Sequence, residues 1–258
     1  MTFLTRTPTL LAALTLAACA SPPPARDTSA VNTGVMIIGG TGQLGSYQAN
    51  ELIAAGERVI ILARPSSTYE RLAGTPGESY EVVLADLRFA DEVRAAIMAA
   101  KPAVIVDVSN LPGIRMDDGD SFYWASMETI AAAAVDADVT QIIRHSPRGA
   151  RQWLVNPPAP FSDDPRIVNY FRDAARAEIA LETAAANSET LNTTFVVNSN
   201  LPPEPAEPTG NGELTDDLTA DYGITRADLA RLTNTCILNP ACYDRTLNAI
   251  DPTLEVQQ

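Results

Sequence analysis

Lysine is almost missing from this chain: Lys101 is the only one among 18 basic residues, and His145 is the only histidine. Any chemistry that needs a lysine must therefore use Lys101. Basic residues are outnumbered by 32 acidic ones, giving a formal net charge of −14. Such a surface repels phosphate backbones, so no nucleic-acid partner is expected, and a peripheral grip on anionic lipid is disfavoured. Aromatic residues are scarce at 6%, yet 46% of the chain is hydrophobic, which excludes a disordered protein. The apolar run near the amino terminus, Leu10–Ala18, is too short to span a bilayer as a helix. Cysteines are few, and no metal site is expected. The 258 residues suffice for one large α/β domain or two small ones with a sizeable core.

The first twenty residues carry one charge, Arg6, and fit a secretory signal. The run Leu16-Ala17-Ala18-Cys19 resembles the lipobox of bacterial lipoproteins. That resemblance implies cleavage before Cys19, a diacylglycerol on its thiol and a further acyl chain on the new amino terminus. Several chains anchor a protein where one binds only marginally. An ordinary signal peptide containing Cys19, or a start assigned too early, remains the alternative. No twin-arginine pair is present, which points to the Sec route. Ala20 after the cysteine, in place of Asp, implies the outer membrane of a Gram-negative bacterium, periplasmic side. Residues 1–18 thus read as signal peptide and 19–33 as a lipidated tether, extended by Pro22, Pro23 and Pro24. In an oxidising compartment Cys236 and Cys242, separated by the turn-forming Asn239-Pro240, are expected to pair; two buried thiols are the alternative.

From Gly34 onward apolar runs alternate with helical patterns. Strands are expected at Val35–Ile38, Val59–Ala63, Glu81–Leu84, Ala103–Val108, Gln141–His145 and Thr194–Asn198. Helices are expected at Gly42–Ala55, Ala90–Ala100, Ser121–Asp138 and Ile167–Ala185. Near-continuous Val/Ile strands separated by helices predict a doubly wound parallel sheet covered on both faces. Past Leu201 a proline-rich loop, a helix at Thr225–Thr235 and a strand at Arg245–Ile250 form an extension of about residues 200–258, expected beside the sheet's carboxyl edge.

Gly39, Gly42 and Gly45 follow the first strand and open the first helix. The first permits a tight turn, the second a close backbone approach to a pyrophosphate, the third close helix–strand packing. The helix N-terminus then faces the phosphates. Together with Thr41, Gln43 and Leu44 these glycines form the expected cofactor turn. The second strand ends in Arg64, which suits the 2′-phosphate of NADP where a carboxylate would hold the ribose of NAD. NADP is therefore expected in preference to NAD, although a solvent-facing arginine would look the same. The third strand ends Ala85-Asp86-Leu87, where Asp86 either accepts the adenine amino group or caps the next helix.

These residues resemble the atypical short-chain dehydrogenase/reductase superfamily, in its NAD(P)-binding, NmrA-like and epimerase-like branch. The resemblance spans roughly residues 34–250 and includes Ile224-Thr225-Arg226-Ala227-Asp228-Leu229-Ala230, similar to a recurrent helix that closes over the substrate region. It implies a Rossmann-type fold with a small C-terminal helical and strand extension. It also implies a catalytic serine at the end of strand five and a Tyr-x-x-x-Lys on the next helix. Ser146 and Tyr170 match the first two, but the lysine position is Ala174. Lys101 lies before strand four, at the wrong edge of the sheet. Arg172 and Arg176 are poorly spaced to replace it. His145 and Ser146 are neighbours on a strand, so only one of them readily faces the site. Asp107, Ser109 and Asn110 end strand four near the expected nicotinamide position, and the loop from Pro147 to Pro165, with Arg148, Arg151, Trp153 and Phe161, is expected to line a substrate cleft. Two functions follow: an oxidoreductase acting on a small molecule, or a non-catalytic nucleotide sensor or scaffold that has lost its proton relay.

Overall fold

The computed structural model describes residues 34–109, 122–155, 165–198 and 200–254. The signal, tether and Cys19 lie outside the described residues, as do Asn110 and Phe161. Three strands take the residues expected of them: β1 Val35–Ile38, β2 Val59–Ala63 and β3 Glu81–Leu84. Strands β4 Val104–Asp107, β5 Gln141–Pro147 and β6 Asn192–Asn198 differ at their ends by a residue or two. Helices α1 Gln43–Ala54, α2 Ala90–Ala100, α3 Phe122–Asp136 and α5 Pro165–Ala186 alternate with them. A further helix, α4 Arg148–Val155, occupies the start of the segment read as a cleft loop.

The strands form one sheet in the order β3-β2-β1-β4-β5-β6-β8-β7. Every pairing is parallel except that of β7, Glu213–Thr215, with β8, Arg245–Ile250. The chain is thus an α/β Rossmann-like fold. The order reverses between β1 and β4, so the crevice at their carboxyl ends is where such a sheet receives ligands.

Alternation along the strands divides the core. Met36, Ile38, Ile105 and Ile142 face α2, α3 and α5, while Val35, Ile37, Val106 and Ile143 face α1 and α6. Strands buried on both faces must be apolar throughout, which explains their Val/Ile runs.

The C-terminal extension belongs to this body, and its strands continue the sheet beyond β6. Strand β8 pairs with β6, and α6, Arg226–Thr235, lies in the same core as α1. Thr225 caps α6 by accepting from the Asp228 amide at 3.1 Å. Asp228 in turn accepts from the amides of Thr209 and Gly210, which ties the proline-rich loop to the helix. Burial alone would raise the Asp228 carboxyl, but the Thr225 hydroxyl, which donates to it at 2.8 Å, and these two amides outweigh it and hold it below the usual carboxylate range. Cys236 and Cys242 form a disulfide, with Cα atoms 5.5 Å apart, across the turn into β8. Buried Gln141 bonds Thr194 Oγ1, the Cys236 carbonyl and the Leu238 amide, and so fixes that turn to β5.

Candidate functional site

The turn after β1 meets the turn after β4 at the crevice. Gly39 has φ +85°, and a Cβ there would come within 3.1–3.2 Å of the Val108–Ser109 backbone. A Cβ on Gly45 would lie 2.3 Å from the Gly39 carbonyl oxygen, so only glycine lets α1 start this close to β1. A Cβ on Gly42 would approach only the Gly39 carbonyl, at 3.2 Å, leaving its outer side open to a ligand. Gly42 is the N-cap of α1, with no side-chain cap and no acidic residue in the first turn. The first amides of a helix have no intrahelical acceptor. Here they are left for an anion, and the helix dipole favours one. The steric and hydrogen-bonding conditions for a dinucleotide pyrophosphate are therefore met.

A cavity of about 700 Å³ runs from this turn across the sheet's carboxyl edge. Gly39, Gly42, Gln43, Leu44, Gly45 and Ser109 line its cofactor end. Thr41 belongs to the turn but does not line the cavity. Tyr170 of α5 and His145 of β5 line the opposite wall. Beyond them stand Asn198, Asn200, Arg148 and Arg226. Arg148 pairs with Asp221 and donates to the Thr219 carbonyl at 2.9 Å; Arg226 donates to the Pro202 carbonyl at 2.7 Å. These bonds close the 200–226 segment over the crevice.

Ser146 does not line the cavity. It is fully buried on the face of β5 that looks toward α5, and its hydroxyl donates to the Glu178 carboxyl. Successive strand residues point to opposite faces, so putting His145 on the cavity wall turns Ser146 away from it. The His145 Nε2 lies 3.1 Å from Thr233 Oγ1, whose own proton goes to the Leu229 carbonyl at 2.8 Å. A hydroxyl has one proton, so Nε2 carries the hydrogen and donates it to Thr233, and Nδ1 is the bare acceptor. Burial, helped by neighbouring Arg144, lowers the imidazole to about 3, so it stays neutral at physiological pH.

At the adenosine end Arg64 is exposed. Asp86 does not cap α2, whose N-cap is Phe89. Its carboxylate accepts from the Arg88 amide, Nε and Nη2 at 2.7–3.1 Å. The Arg88 side chain, opposed by partial burial and aided by the Arg88 amide, Arg88 charge and Arg64 charge, holds the Asp86 carboxyl below its ordinary value. Leu87 packs against the core beneath α2 and α3.

Reading the sequence missed the group of buried charges at the β5–α5 end. Arg144 is 1% exposed and pairs with Asp107, itself fully buried. Glu178 pairs with Arg151 at 2.7 Å, and burial raises its carboxyl despite that cation. Arg151, expected in a cleft wall, instead stacks over Phe195 at 4.0 Å. Arg172 bonds Asp173, and Arg176 stacks over Trp124 at 3.8 Å. The available signal was Arg144 itself, a charge that follows Ile142-Ile143 inside a buried strand.

An uncapped helix N-terminus behind a glycine turn, at the switch point of a parallel sheet, defines a dinucleotide-binding Rossmann domain. A family model described as NAD(P)H-binding matches residues 39–240, and the chain belongs to that family. No curated protein matches the sequence significantly. Among solved structures, it is similar to the anaerobillin reductase ChuY of Escherichia coli (18% identity, 87% of this chain and 100% of that one, TM-score 0.66). It is also similar to the oxidoreductase ylbE of Lactococcus lactis (17%, 85% and 91%, 0.65) and to a short-chain dehydrogenase/reductase of Veillonella parvula (14%, 87% and 96%, 0.63). At these identities the likeness is one of fold.

Proposed function

We propose that this protein is an NADP-dependent oxidoreductase of the short-chain dehydrogenase type, acting on a small molecule from the periplasmic side of a membrane. The observation that carries the proposal is the open cofactor turn in one continuous cavity with Tyr170. A bound nicotinamide would exchange a hydride with the substrate. Tyr170 would exchange a proton with the substrate oxygen, and Arg148, Arg226 and the two asparagines would orient the substrate. Arg64, exposed just after β2, supports NADP over NAD, because a 2′-phosphate there would meet its guanidinium group. Titrating the protein with NADPH and NADH, followed by fluorescence and thermal shift, tests this. Tighter binding of NADPH is expected, and no response to either nucleotide at millimolar concentration would sink the proposal.

Ala174 at the lysine position and the sealed Ser146 hydroxyl favour a second reading, a nucleotide sensor or scaffold without catalysis. Turnover of a carbonyl substrate at an ordinary enzymatic rate, on the order of 1–1,000 per second, would exclude that reading. The membrane location is part of the proposal and rests on the lipobox-like run at Cys19. Mass spectrometry of a membrane fraction should find Cys19 amino-terminal and acylated; an intact Met1 on a soluble protein would overturn it.

A further inference from the structure

His145 is the only histidine of the chain, and its two ring nitrogens are placed unequally. Nε2 lies 3.1 Å from the Thr233 hydroxyl of α6, and that hydroxyl gives its own proton to the Leu229 carbonyl at 2.8 Å. The ring hydrogen therefore sits on Nε2, and Nδ1 carries a lone pair. Nδ1 is buried, and among the described residues no donor reaches it. The residue is 7% exposed and lines the cavity, together with Ser109 from the cofactor end and Asn198 from the far end. A buried acceptor left bare costs about 1–3 kcal/mol, so such an atom calls for a partner. For a residue on a cavity wall, that partner is what fills the cavity.

We propose that His145 Nδ1 is the acceptor for an N–H or O–H group of the molecule bound in the cavity, and so selects a ligand that carries a hydrogen-bond donor at that place. This rests on the reading of the cavity as a dinucleotide and substrate site, and it deepens that reading by naming the chemistry the wall takes. Two groups of the proposed reaction have this chemistry: the carboxamide N–H of a nicotinamide and the hydroxyl of an alcohol substrate. A carboxylate or a bare carbonyl in the same position would set acceptor against acceptor.

The charged groups on the wall differ from His145 in this respect. Arg148 and Arg226 can only donate, and the Asp221 carboxylate is paired with Arg148. Thr233 is what keeps the imidazole an acceptor toward the cavity. It is fully buried, and its bond to Leu229 lies within α6, so the helix itself sets which ring nitrogen holds the hydrogen. A protonated imidazole would carry hydrogen on both nitrogens and lose the acceptor. Burial first, then the charge of neighbouring Arg144, lowers the group to about 3, so the lone pair is present throughout the neutral range.

Because the histidine is unique, nitrogen NMR of the isotope-labelled full chain, made without a histidine tag, reports a single imidazole. At neutral pH the ligand-free protein should show hydrogen on Nε2 and a bare Nδ1. NADPH should move the Nδ1 resonance upfield, as a lone pair does on accepting a hydrogen bond, and the NADPH analogue with an acetyl group in place of the carboxamide should not. If the donor belongs to the substrate, the shift appears instead when benzyl alcohol is added to the NADP complex, and benzaldehyde does not produce it. His145→Phe should cut the preference for the donor-bearing member of the responding pair by about tenfold. Thr233→Val keeps the histidine but removes the group that fixes its hydrogen, so the two nitrogen resonances should move toward each other. A hydrogen found on Nδ1 in the ligand-free protein, or an Nδ1 resonance that none of these probes moves, overturns the proposal. Nucleotide fluorescence is followed in the same samples. Silence there sinks the cofactor reading, while the benzyl alcohol arm still decides the role of Nδ1.

Discussion

The two ends of the cavity treat polar groups in opposite ways. At the cofactor turn, α1 begins without a side-chain cap or a nearby acid, and its first amides are left open toward the crevice. At the β5–α5 end, charges are buried against one another: Arg144 with Asp107 and Arg151 with Glu178. Open donors at the first end will gain bonds when an anion arrives. Matched charges at the second already have their bonds, and their arrangement can set the electrostatics of a neighbour. The cofactor end is thus built for binding, and the β5–α5 end for holding a fixed field.

Changes at each end should separate these roles. The largest effect is expected on stability at the paired end. Arg144→Met alone leaves the Asp107 carboxylate buried without its cation and should cost about 3–5 kcal/mol in urea unfolding, much of it recovered when Asp107→Asn is added. An additive double variant would show that the two side chains do not act as a pair. At the open end, Gly45→Val drives a Cβ into the Gly39 carbonyl. NADPH affinity should fall by about 100-fold or more, roughly 3 kcal/mol, read by nucleotide titration. Retained affinity would mean that the turn does not hold the dinucleotide.

The third prediction concerns His145, which stands between the two ends. Its imidazole is lowered to about 3 in the folded protein from an ordinary 6.5. Between those values the unfolded chain binds the proton and the folded one does not, so stability is full above pH 6.5 and is lost as pH falls toward 3. The loss attributable to this group should be about 2 kcal/mol between pH 6.5 and 5. His145→Gln should flatten that part of the profile, and an identical pH dependence in the variant would count against the burial argument. The smallest effect is expected at the exposed Arg64. Arg64→Ala should reduce the preference for NADPH over NADH by roughly tenfold, about 1.4 kcal/mol.

Much of the open end was legible in the sequence. An apolar strand, three spaced glycines and a helix are contiguous, and each glycine answers to a local steric demand. The paired end was less legible. Ser146 and Tyr170 came from the family resemblance, which could not say that Ser146 turns to Glu178 while His145 takes the cavity wall. Helix α4 lies in a segment read as a loop, and Gly149 near its start is a residue that disfavours helix. The structure gives that glycine a packing reason, since a Cβ there would come within 2.5–2.6 Å of the Phe171 ring. Strand β7 has three residues and pairs only with β8, too little for a periodic signal.

By itself, then, the sequence determined the alternation of strands and helices, the parallel sheet, the cofactor turn and the loss of the helical lysine, because all of these are written in neighbouring residues. Tertiary structure alone decided that Arg144 meets Asp107 across 37 positions. That meeting depends on the register of β5 against β4, which pairs Arg144 with Asp107, and on the side of the sheet to which both then point. A charge in a buried strand shows that a partner is needed; only the packed sheet selects which one.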